Sequence, residues 1–316
     1  MNNIEKAAHF LRNEDVVAIP TETVYGLAGN AFSDKAIKRI FEVKNRPFYN
    51  PLIVHIKSID ELNKIATNIP EMAFKLAEVF WPGPLTLVLD KQPSISDLVT
   101  GGKPTVAVRL PAHPVALELL NYIDFPLVAP SANPFNYLSP TSAQHVKEQL
   151  GNKIPYILDG GNCEKGVEST IIGFQDNSPI LYRLGAISME DIEEVTGELT
   201  TQNQSKNSPN APGMLSKHYS PKTQFILSNN ITQTLESLKD KKVGVITFNE
   251  SRQDYSVFHQ VALSYNNDLK EAASNLFSTL HHLDKMKLDA IVAERLPDEG
   301  LGKTINDRLQ RAASKG

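Results

Sequence analysis

VVAIPTETVYGL, residues 16–27, joins a short apolar run to a turn that is dense in hydroxyl groups. The apolar residues 16–19 predict a buried strand, which the proline at position 20 ends. In the turn that follows, Thr23 and Tyr25 have the chemistry to orient a small polar ligand. The alternative is a β-turn whose hydroxyls only satisfy nearby backbone groups. The stretch therefore predicts a sheet strand followed by a candidate ligand-binding turn.

Outward from this strand, the apolar residues alternate between helical and extended spacing. Many strands with only some interleaved helices predict an α/β fold, with a mixed, twisted sheet and helices outside it. Helices are predicted at 4–12, 33–43, 59–66, 71–80, 114–122 and 142–150, and strands at 16–20, 51–56, 85–89, 106–110, 127–129, 156–158, 169–173 and 180–182.

The last third of the chain predicts a second, smaller unit. Strand patterns at 224–227, 242–248, 257–263 and 289–296 alternate with helical patterns at 232–239, 269–286 and 305–313, which favours a small parallel α/β sheet. Between the two units, residues 198–212 are polar, carry two prolines and are typical of a linker. We therefore predict domains at 1–198 and 222–316, joined by a linker at 199–221.

Composition excludes several classes of protein. The 316 residues carry 32 basic and 36 acidic side chains, so bulk charge argues against a protein that mainly binds nucleic acid. A single cysteine excludes an intramolecular disulfide and a Cys-rich zinc site. No apolar run approaches a membrane span, and the N-terminus lacks the layout of a signal peptide. We expect a cytoplasmic protein of a reducing compartment that forms no stable complex with nucleic acid.

A local cluster of cations contrasts with the acidic whole. Residues 34–64 hold seven basic and four acidic side chains, among them Lys44 and Arg46, with Asn50 and His55 close behind. Such a cluster suits a phosphate or carboxylate ligand. The alternative is a helix end whose dipole favours Lys and Arg.

Further candidates lie at the ends of other predicted strands. Arg109 has apolar neighbours, and a buried arginine needs a partner, either a bound carboxylate or a structural Asp or Glu. It follows Gly101-Gly102, a turn that offers backbone N–H groups to an anion. Small polar groups at the other strand ends either line a ligand crevice or serve only as loop and cap residues; they include Thr105, Ser131, Asn133, Ser139, Ser169 and Arg183.

Three other features predict no chemistry. Residues 300–304 imitate the end of a phosphate-binding loop, but the position of the required first glycine is Pro297. His281 and His282 are adjacent on a predicted helix and point about 100° apart, so we interpret them as a surface pair. Cys163 has no convincing His–Asp partner pattern, and we interpret it as non-catalytic.

Taken together and in order, the motifs resemble one family. PTETVYGL (20–27), KNRPFYNPLIVH (44–55), GGKPTVAVRLP (101–111), APSAN (129–133), SPT (139–141), GVESTI (166–171) and YRLGAIS (182–188) resemble the YrdC-like domain of threonylcarbamoyl-AMP synthases. APGMLSKHYSP (211–221) and GLGKTINDRLQRAA (300–313) resemble the linker and C-terminal domain of the long form. The resemblance implies a YrdC-like domain followed by a Rossmann-like parallel domain.

The resemblance also implies an activity. ATP, L-threonine and bicarbonate or CO2 would give threonylcarbamoyl-AMP and pyrophosphate, with Mg²⁺ on the ATP and no protein metal ligand assigned. The product would feed the machinery that modifies tRNA beside the anticodon. By motif position, the catalytic cations would be Lys44 and Arg46; threonine would meet Thr23, His55, Arg109, Ala129 and Ser169; and ATP would meet Arg46, Asn50, Thr105, Ser131, Asn133, Ser139 and Arg183.

The linker gains a role from the same resemblance. Gly213, His218 and Tyr219 are expected to fold over the catalytic mouth as a lid, whereas composition alone favours a passive tether. Leu184 stands where the family commonly has proline, which makes Arg183 a less firm match. Two alternatives remain open at this point: a related carbamoyltransferase, and a YrdC-like module that binds RNA.

Overall fold

The computed structural model describes residues 2–202, 211–214, 219–250 and 257–314. In the N-terminal unit the six predicted helical segments all contain a helix, and side-chain caps explain several of the helix starts. Ser33 accepts a hydrogen bond from the backbone of Ala36, and Asn2 and Glu5 form a capping box. The helices are α1 (Asn3–Arg12), α2 (Asp34–Lys44), α3 (Leu62–Ile65), α4 (Glu71–Phe80), α5 (Asp97–Thr100), α6 (Pro114–Tyr122), α7 (Ala143–Leu150) and α8 (Met189–Thr196).

The strands of this unit form one mixed sheet, as predicted. Its order is β11-β10-β9-β5-β6-β3-β7-β2-β1-β8, with β4 beside β5. The pairs β3–β6, β5–β9, β1–β8 and β10–β11 are parallel and the others antiparallel. The strands are β1 (Val17–Ile19), β2 (Gly26–Asn30), β3 (Ile53–His55), β4 (Ala66–Thr67), β5 (Leu85–Lys91), β6 (Thr105–Arg109), β7 (Leu127–Val128), β8 (Tyr156–Ile157), β9 (Thr170–Gln175), β10 (Ser178–Arg183) and β11 (Thr200–Thr201).

The C-terminal unit confirms the predicted parallel sheet. Its strand order is β12-β15-β13-β14, and every neighbouring pair is parallel. In chain order the elements are β12 (Gln224–Ser228), α9 (Ile231–Glu236), β13 (Val243–Thr247), β14 (His259–Ala262), α10 (Leu269–Lys285), β15 (Ala290–Glu294) and α11 (Leu301–Ala313). Among the described residues, no helix is both long and apolar enough to cross a bilayer.

Some elements differ from the sequence-based expectations. Strand β2 was not predicted, because its sequence GLAGN has low β-propensity. Its pairing with β1 and β7 stabilises it as a strand. Helix α8 is also unpredicted, although Ser188 and Asp191 form a capping box at its start. Helix α11 begins at Leu301, four residues early, because Gly302 permits a close approach: an added Cβ there would lie 1.9 Å from the carbonyl oxygen of Pro297.

The two units and the linker share apolar packing. One buried cluster joins Val24, Leu138 and Val167 of the N-terminal unit to Phe277 and Leu309 of the C-terminal unit. The linker takes part as well, although its composition alone favours a passive tether: Tyr219 belongs to the same cluster. Ala211 and Met214 pack against the mixed sheet in a cluster with Ile53, Val88, Ala107, Ile171, Ile180 and Tyr182.

His281 corrects another expectation. The prediction that His281 and His282 both lie on the surface is confirmed for His282, which is exposed, but it is wrong for His281, which is buried between the two units. Its ring stacks on that of His145 in α7 with centroids 4.1 Å apart, and its Nε2 lies 3.0 Å from the carbonyl oxygen of Ser139. Adjacent helical residues diverge by about 100°, so one histidine faces the interface and the other faces solvent.

Candidate active site

A small cavity of about 50 Å³ lies where the β1–β2 turn, the ends of β3, β6 and β10, and the linker meet. Its wall combines arginines, hydroxyls and a carboxylate with a few apolar groups. The lining residues are Thr21, Thr23, Val24, Gly26, Arg46, Ile53, His55, Arg109, Ala129, Pro130, Ser131, Glu168, Ser169, Arg183, Pro212, Gly213 and Tyr219.

Arg109 ends β6 and forms a buried ion pair with Glu22. Its Nη2 lies 2.6 Å from Oε1 of Glu22, Nη1 donates to Thr23 Oγ1 at 2.9 Å, and Nε donates to the carbonyl oxygen of Gly83 at 3.2 Å. These bonds use three of the five guanidinium N–H donors. The structural acid that the sequence left open is thus present, and among the described residues two donors stay available for a ligand carboxylate.

His55 lies in register with Arg109 across the parallel pair β3–β6. Burial, and secondarily the nearby Arg109 charge, lower the pKa of His55 to about 3. Its Nδ1 lies 3.2 Å from the carbonyl oxygen of Ile53. His55 is therefore a neutral imidazole at ordinary pH, suited to hydrogen bonding rather than to charge pairing.

Arg46 follows the left-handed C-cap Asn45 of α2, which turns the chain toward the cavity. Its Nη2 donates to Asn50 Oδ1 and to the Pro51 carbonyl, both at 2.8 Å, and Nε donates to the Asn50 carbonyl at 3.2 Å. Within the described chain, Nη1 keeps both of its donors available. Burial lowers the pKa of Arg46 to about 9, and the group faces the cavity without a carboxylate partner there.

Lys44 lies behind the cavity wall. Its ammonium donates to the carbonyl oxygens of Ser131 and Asn133, and it is almost fully buried. Burial, with Arg46 nearby, moves the pKa of Lys44 well below its ordinary value. In this structure Lys44 holds the 131–133 loop, whereas its predicted catalytic role stays a prediction.

Arg183 ends β10 and connects the sheet to the linker. Its Nε and Nη2 donate to the carbonyl oxygen of Ser169 at 3.0 and 2.7 Å, and Nη1 donates to the carbonyl oxygen of Pro212 at 3.1 Å. Gly213 follows with φ +82°, and a Cβ there would lie 2.9 Å from Arg183 Cδ. The linker can therefore cover Arg183 only because this residue is glycine.

Glu168 is the carboxylate in the lining of the cavity, and it is fully engaged. Oε1 accepts from the Ser139 hydroxyl at 2.6 Å, and Oε2 accepts from Arg308 Nε of helix α11 at 2.8 Å. Burial opposes the charge, but Arg308 and then Arg183 hold the pKa of Glu168 below its ordinary value. A residue of the C-terminal unit thus holds a carboxylate that lines a cavity in the N-terminal unit.

The structure brings together most, but not all, of the predicted site residues. Lining the cavity are Thr23, Arg46, His55, Arg109, Ala129, Ser131, Ser169, Arg183 and the predicted lid residue Tyr219. Outside the described lining are Lys44, Asn50, Thr105, Asn133 and Ser139, although Asn50 presents a buried Nδ2 that has no partner among the described residues. His218 lies outside the described residues.

Three charged residues escaped sequence reasoning. Glu22 and Glu168 stand inside quoted motifs, next to hydroxyl residues, and the need of Arg109 for a partner pointed toward one of them. Arg308 is spaced three and four residues from Ile305 and Ala312, on the buried face of α11, where an arginine signals an ion pair. Cys163 is buried, and burial raises the pKa of its thiol to about 12, which disfavours the reactive thiolate; its interpretation as non-catalytic stays a prediction.

No group of three or more metal-binding side chains occurs among the described residues. The cavity carboxylate, Glu168, already accepts from Ser139 and Arg308. The described residues thus offer no cluster of protein ligands for a metal ion.

A larger cleft of about 810 Å³ lies between the units and differs in chemistry. Glu164, Lys165, Asp191, Asp268 and Lys270 line it, but most of its lining residues are exposed or half-buried. Buried polar groups that converge on one point mark the smaller cavity as the better candidate.

A mixed sheet that carries a buried, arginine-lined cavity, backed by a parallel α/β unit, defines a two-domain YrdC-like enzyme. A family model described as telomere recombination, covering Sua5, YciO and YrdC proteins, matches residues 9–185. A second model, the C-terminal domain of threonylcarbamoyl-AMP synthase, matches residues 187–314.

The relatives agree along the whole chain. It is 43% identical to the threonylcarbamoyl-AMP synthase of Pyrococcus abyssi, over 98% of this chain and 94% of that protein, and 41% identical to that of Bacillus subtilis, over 98% and 92%. The crystal structure of P. abyssi Sua5 complexed with L-threonine aligns with a TM-score of 0.92 at 42% identity, over 99% of this chain and 95% of that one. The chain belongs to the Sua5 family of threonylcarbamoyl-AMP synthases, which confirms the resemblance of its motifs.

Proposed function

We propose that this enzyme makes L-threonylcarbamoyl-AMP and pyrophosphate from L-threonine, bicarbonate or CO2, and ATP. The observation that carries the proposal is the convergence of Arg46, Arg109 and Arg183 on one buried cavity. Among the described residues, Arg46 and Arg109 each keep two N–H donors available and Arg183 keeps one. All three substrates bear anionic groups, and buried guanidinium groups match carboxylates and phosphates in charge and geometry. Membership of the Sua5 family supports the same assignment.

Threonine fits the side of the cavity formed by β3, β6 and the β1–β2 turn. The two free donors of Arg109 bind its carboxylate, while Glu22 and Thr23 fix the guanidinium plane. Neutral His55 lies alongside and adds a hydrogen bond without repelling the substrate amine. That P. abyssi Sua5 has been crystallised with L-threonine supports this substrate.

ATP fits the opposite side. Arg46 and Arg183 face the triphosphate, and the unpartnered Nδ2 of Asn50 beside Arg46 is a further donor. Mg²⁺ enters as the complex with ATP, since the described residues supply no metal cluster of their own. The positions of Thr105, Asn133 and Ser139 outside the lining leave their contacts with ATP as predictions.

The reaction then needs position and charge more than a nucleophilic side chain. The threonine amine adds to CO2, or to bicarbonate with loss of water, and gives a carbamate. A carbamate oxygen attacks the α-phosphorus of ATP, the bond to the β-phosphate oxygen breaks, and pyrophosphate leaves. Arg46 and Arg183 stabilise the charge that grows on the phosphates. The product supplies the tRNA-modifying machinery of the cytoplasm with the threonylcarbamoyl group.

The linker is proposed to act as a lid. At about 50 Å³ the cavity is far smaller than the roughly 300–1,000 Å³ of typical ligand pockets, so ATP requires it to open. Pro212, Gly213 and Tyr219 form the part of the wall that belongs to the linker. Closure over bound substrates excludes water from a labile adenylate.

The test is pyrophosphate release. The protein is incubated with Mg²⁺, ATP, bicarbonate and each amino acid in turn, and pyrophosphate is measured. We expect release only with threonine and a product with the mass of threonylcarbamoyl-AMP. Pyrophosphate release that does not depend on threonine, or no pyrophosphate release at all, contradicts the proposal. A filter-binding titration with tRNA at several salt concentrations gives a steep dependence only if the RNA-binding alternative holds.

A further inference from the structure

Arg308 is a charged residue of the C-terminal unit that lies behind the cavity of the N-terminal unit, where it binds the lining carboxylate Glu168. Its side chain is wholly buried, and its guanidinium lies 4.9 Å from the ring centroid of Tyr219 in the linker. Nε donates to Glu168 at 2.8 Å and Nη2 to the carbonyl oxygen of Leu184 at 2.7 Å. Arg308 thus touches both the carboxylate of the cavity and the residue that follows Arg183.

Glu168 and Arg183 lie close together with opposite charges. Arg183 binds the carbonyl oxygen of Ser169, the residue next to Glu168, and both side chains line the cavity. All the hydrogen-bond partners of Arg183 among the described residues are nevertheless uncharged. Its charge stays available for a phosphate because the carboxylate is held by Arg308 and Ser139.

We infer that Arg308 is a positioning residue for the nucleotide: it holds Glu168 away from Arg183, so that Arg183 can bind ATP. The inference rests on the proposed function. Without Arg308, the Glu168 carboxylate is unpaired beside the phosphate site, where it repels ATP and captures Arg183. Docking of α11 against the segment that follows β10 thereby becomes a condition for tight ATP binding, and the C-terminal unit acquires a part in binding the nucleotide.

The pyrophosphate assay tests this inference through the two Michaelis constants. For Arg308→Met we expect KM for ATP to rise about tenfold or more, the scale of an uncompensated buried charge, while KM for threonine changes less than about twofold. Arg308→Lys retains the charge and is expected to recover part of the loss. The decisive variant is Arg308→Met with Glu168→Gln, which removes both charges and is expected to bring KM for ATP back to within about threefold of wild type.

If Arg308→Met does not fold, Glu168→Gln alone still tests whether the Glu168 carboxylate is needed for ATP binding. The amide oxygen still accepts from Ser139, and KM for ATP should be no higher than in the wild type. Lys303→Met is the matched control, since Lys303 joins the same helix to Glu190 of the N-terminal unit at 2.6 Å but does not line the cavity. It is expected to leave both Michaelis constants unchanged.

The outcomes separate this inference from the proposed function. A wild-type protein that releases no pyrophosphate with threonine defeats the proposed function. An active wild type in which Arg308→Met raises both Michaelis constants together, without recovery in the double variant, shows a merely structural residue. A rise of KM for ATP in Glu168→Gln as large as in Arg308→Met also overturns the inference, because Glu168 would then serve the nucleotide directly.

Discussion

Two buried arginine–carboxylate pairs lie at the same cavity, and they differ in which member of the pair lines it. Arg109 and Glu22 both belong to the N-terminal unit, and Arg109 lines the cavity with two donors to spare. Arg308 and Glu168 belong to different units, and here the carboxylate lines the cavity while the arginine lies behind it. In the proposed function, Glu22 orients an arginine that binds the ligand, whereas Arg308 restrains a carboxylate. Similar ion pairs thus have opposite consequences for an anionic ligand.

The largest expected effect comes from removing Arg109. Arg109→Met leaves Glu22 buried and unpaired and deletes the site for the threonine carboxylate, so kcat/KM for threonine should fall about 100- to 1,000-fold. Adding Glu22→Gln should restore thermal stability but not activity, because the ligand-binding guanidinium is still missing. The corresponding double variant at Arg308 and Glu168 should recover activity. Equal recovery in both doubles contradicts the distinction between the two pairs.

A smaller effect is expected at the linker, which contacts Arg183 through Pro212 and Arg308 through Tyr219. Gly213→Ala places a side chain at φ +82° and 2.9 Å from Arg183, so closure should cost about 1 kcal/mol or more and kcat/KM for ATP should fall several-fold. The control is Gly197→Ala, which has φ +75° and open space around the added Cβ. Equal losses of activity in the two variants, measured by pyrophosphate release, argue against a lid over Arg183.

The contact between the units should weaken in acid. Burial, then His281 and Lys285, lower the pKa of His145 to about 4, although Glu148 opposes them. The unfolded imidazole binds its proton near pH 6.5, so between about pH 6.5 and 4 the unfolded state holds more protons and stability falls as the pH falls. Urea unfolding should show a shallower loss in His145→Gln than in wild type. The exposed His282→Gln is the control, and identical slopes in all three proteins contradict the prediction.

The smallest effect is expected at Cys163, beside the first pair. The thiol is buried, its pKa is raised to about 12, and nucleophilic attack requires the thiolate. A maleimide should therefore leave activity intact under native conditions, and Cys163→Ala should change kcat/KM less than about twofold. Rapid inactivation by maleimide, absent in Cys163→Ala, would show that the region of Glu22 opens far more than the structure indicates.

Much of the fold was predictable because periodicity and caps are local. Ser33 and the apolar spacing after it define α2, and the parallel sheet of the C-terminal unit follows from the alternation of its elements. Strand β2 was not predictable, because GLAGN has no strand propensity and depends on its partners. The cavity residues of the quoted motifs could be identified by resemblance, but Arg308 acts only through a contact 140 residues away in sequence. The position of Arg308 on the buried face of α11 signals an ion pair, but it does not identify the distant partner.

The most direct test of this account is a crystal structure with a non-hydrolysable ATP analogue and L-threonine. We predict triphosphate oxygens within hydrogen-bond distance of Arg46 and Arg183, the threonine carboxylate on Arg109, and Glu168 still paired with Arg308. Ligands in the larger cleft beside Glu164 and Asp268 with the arginine cavity empty, or a nucleotide bound while Glu168 pairs with Arg183, would contradict it.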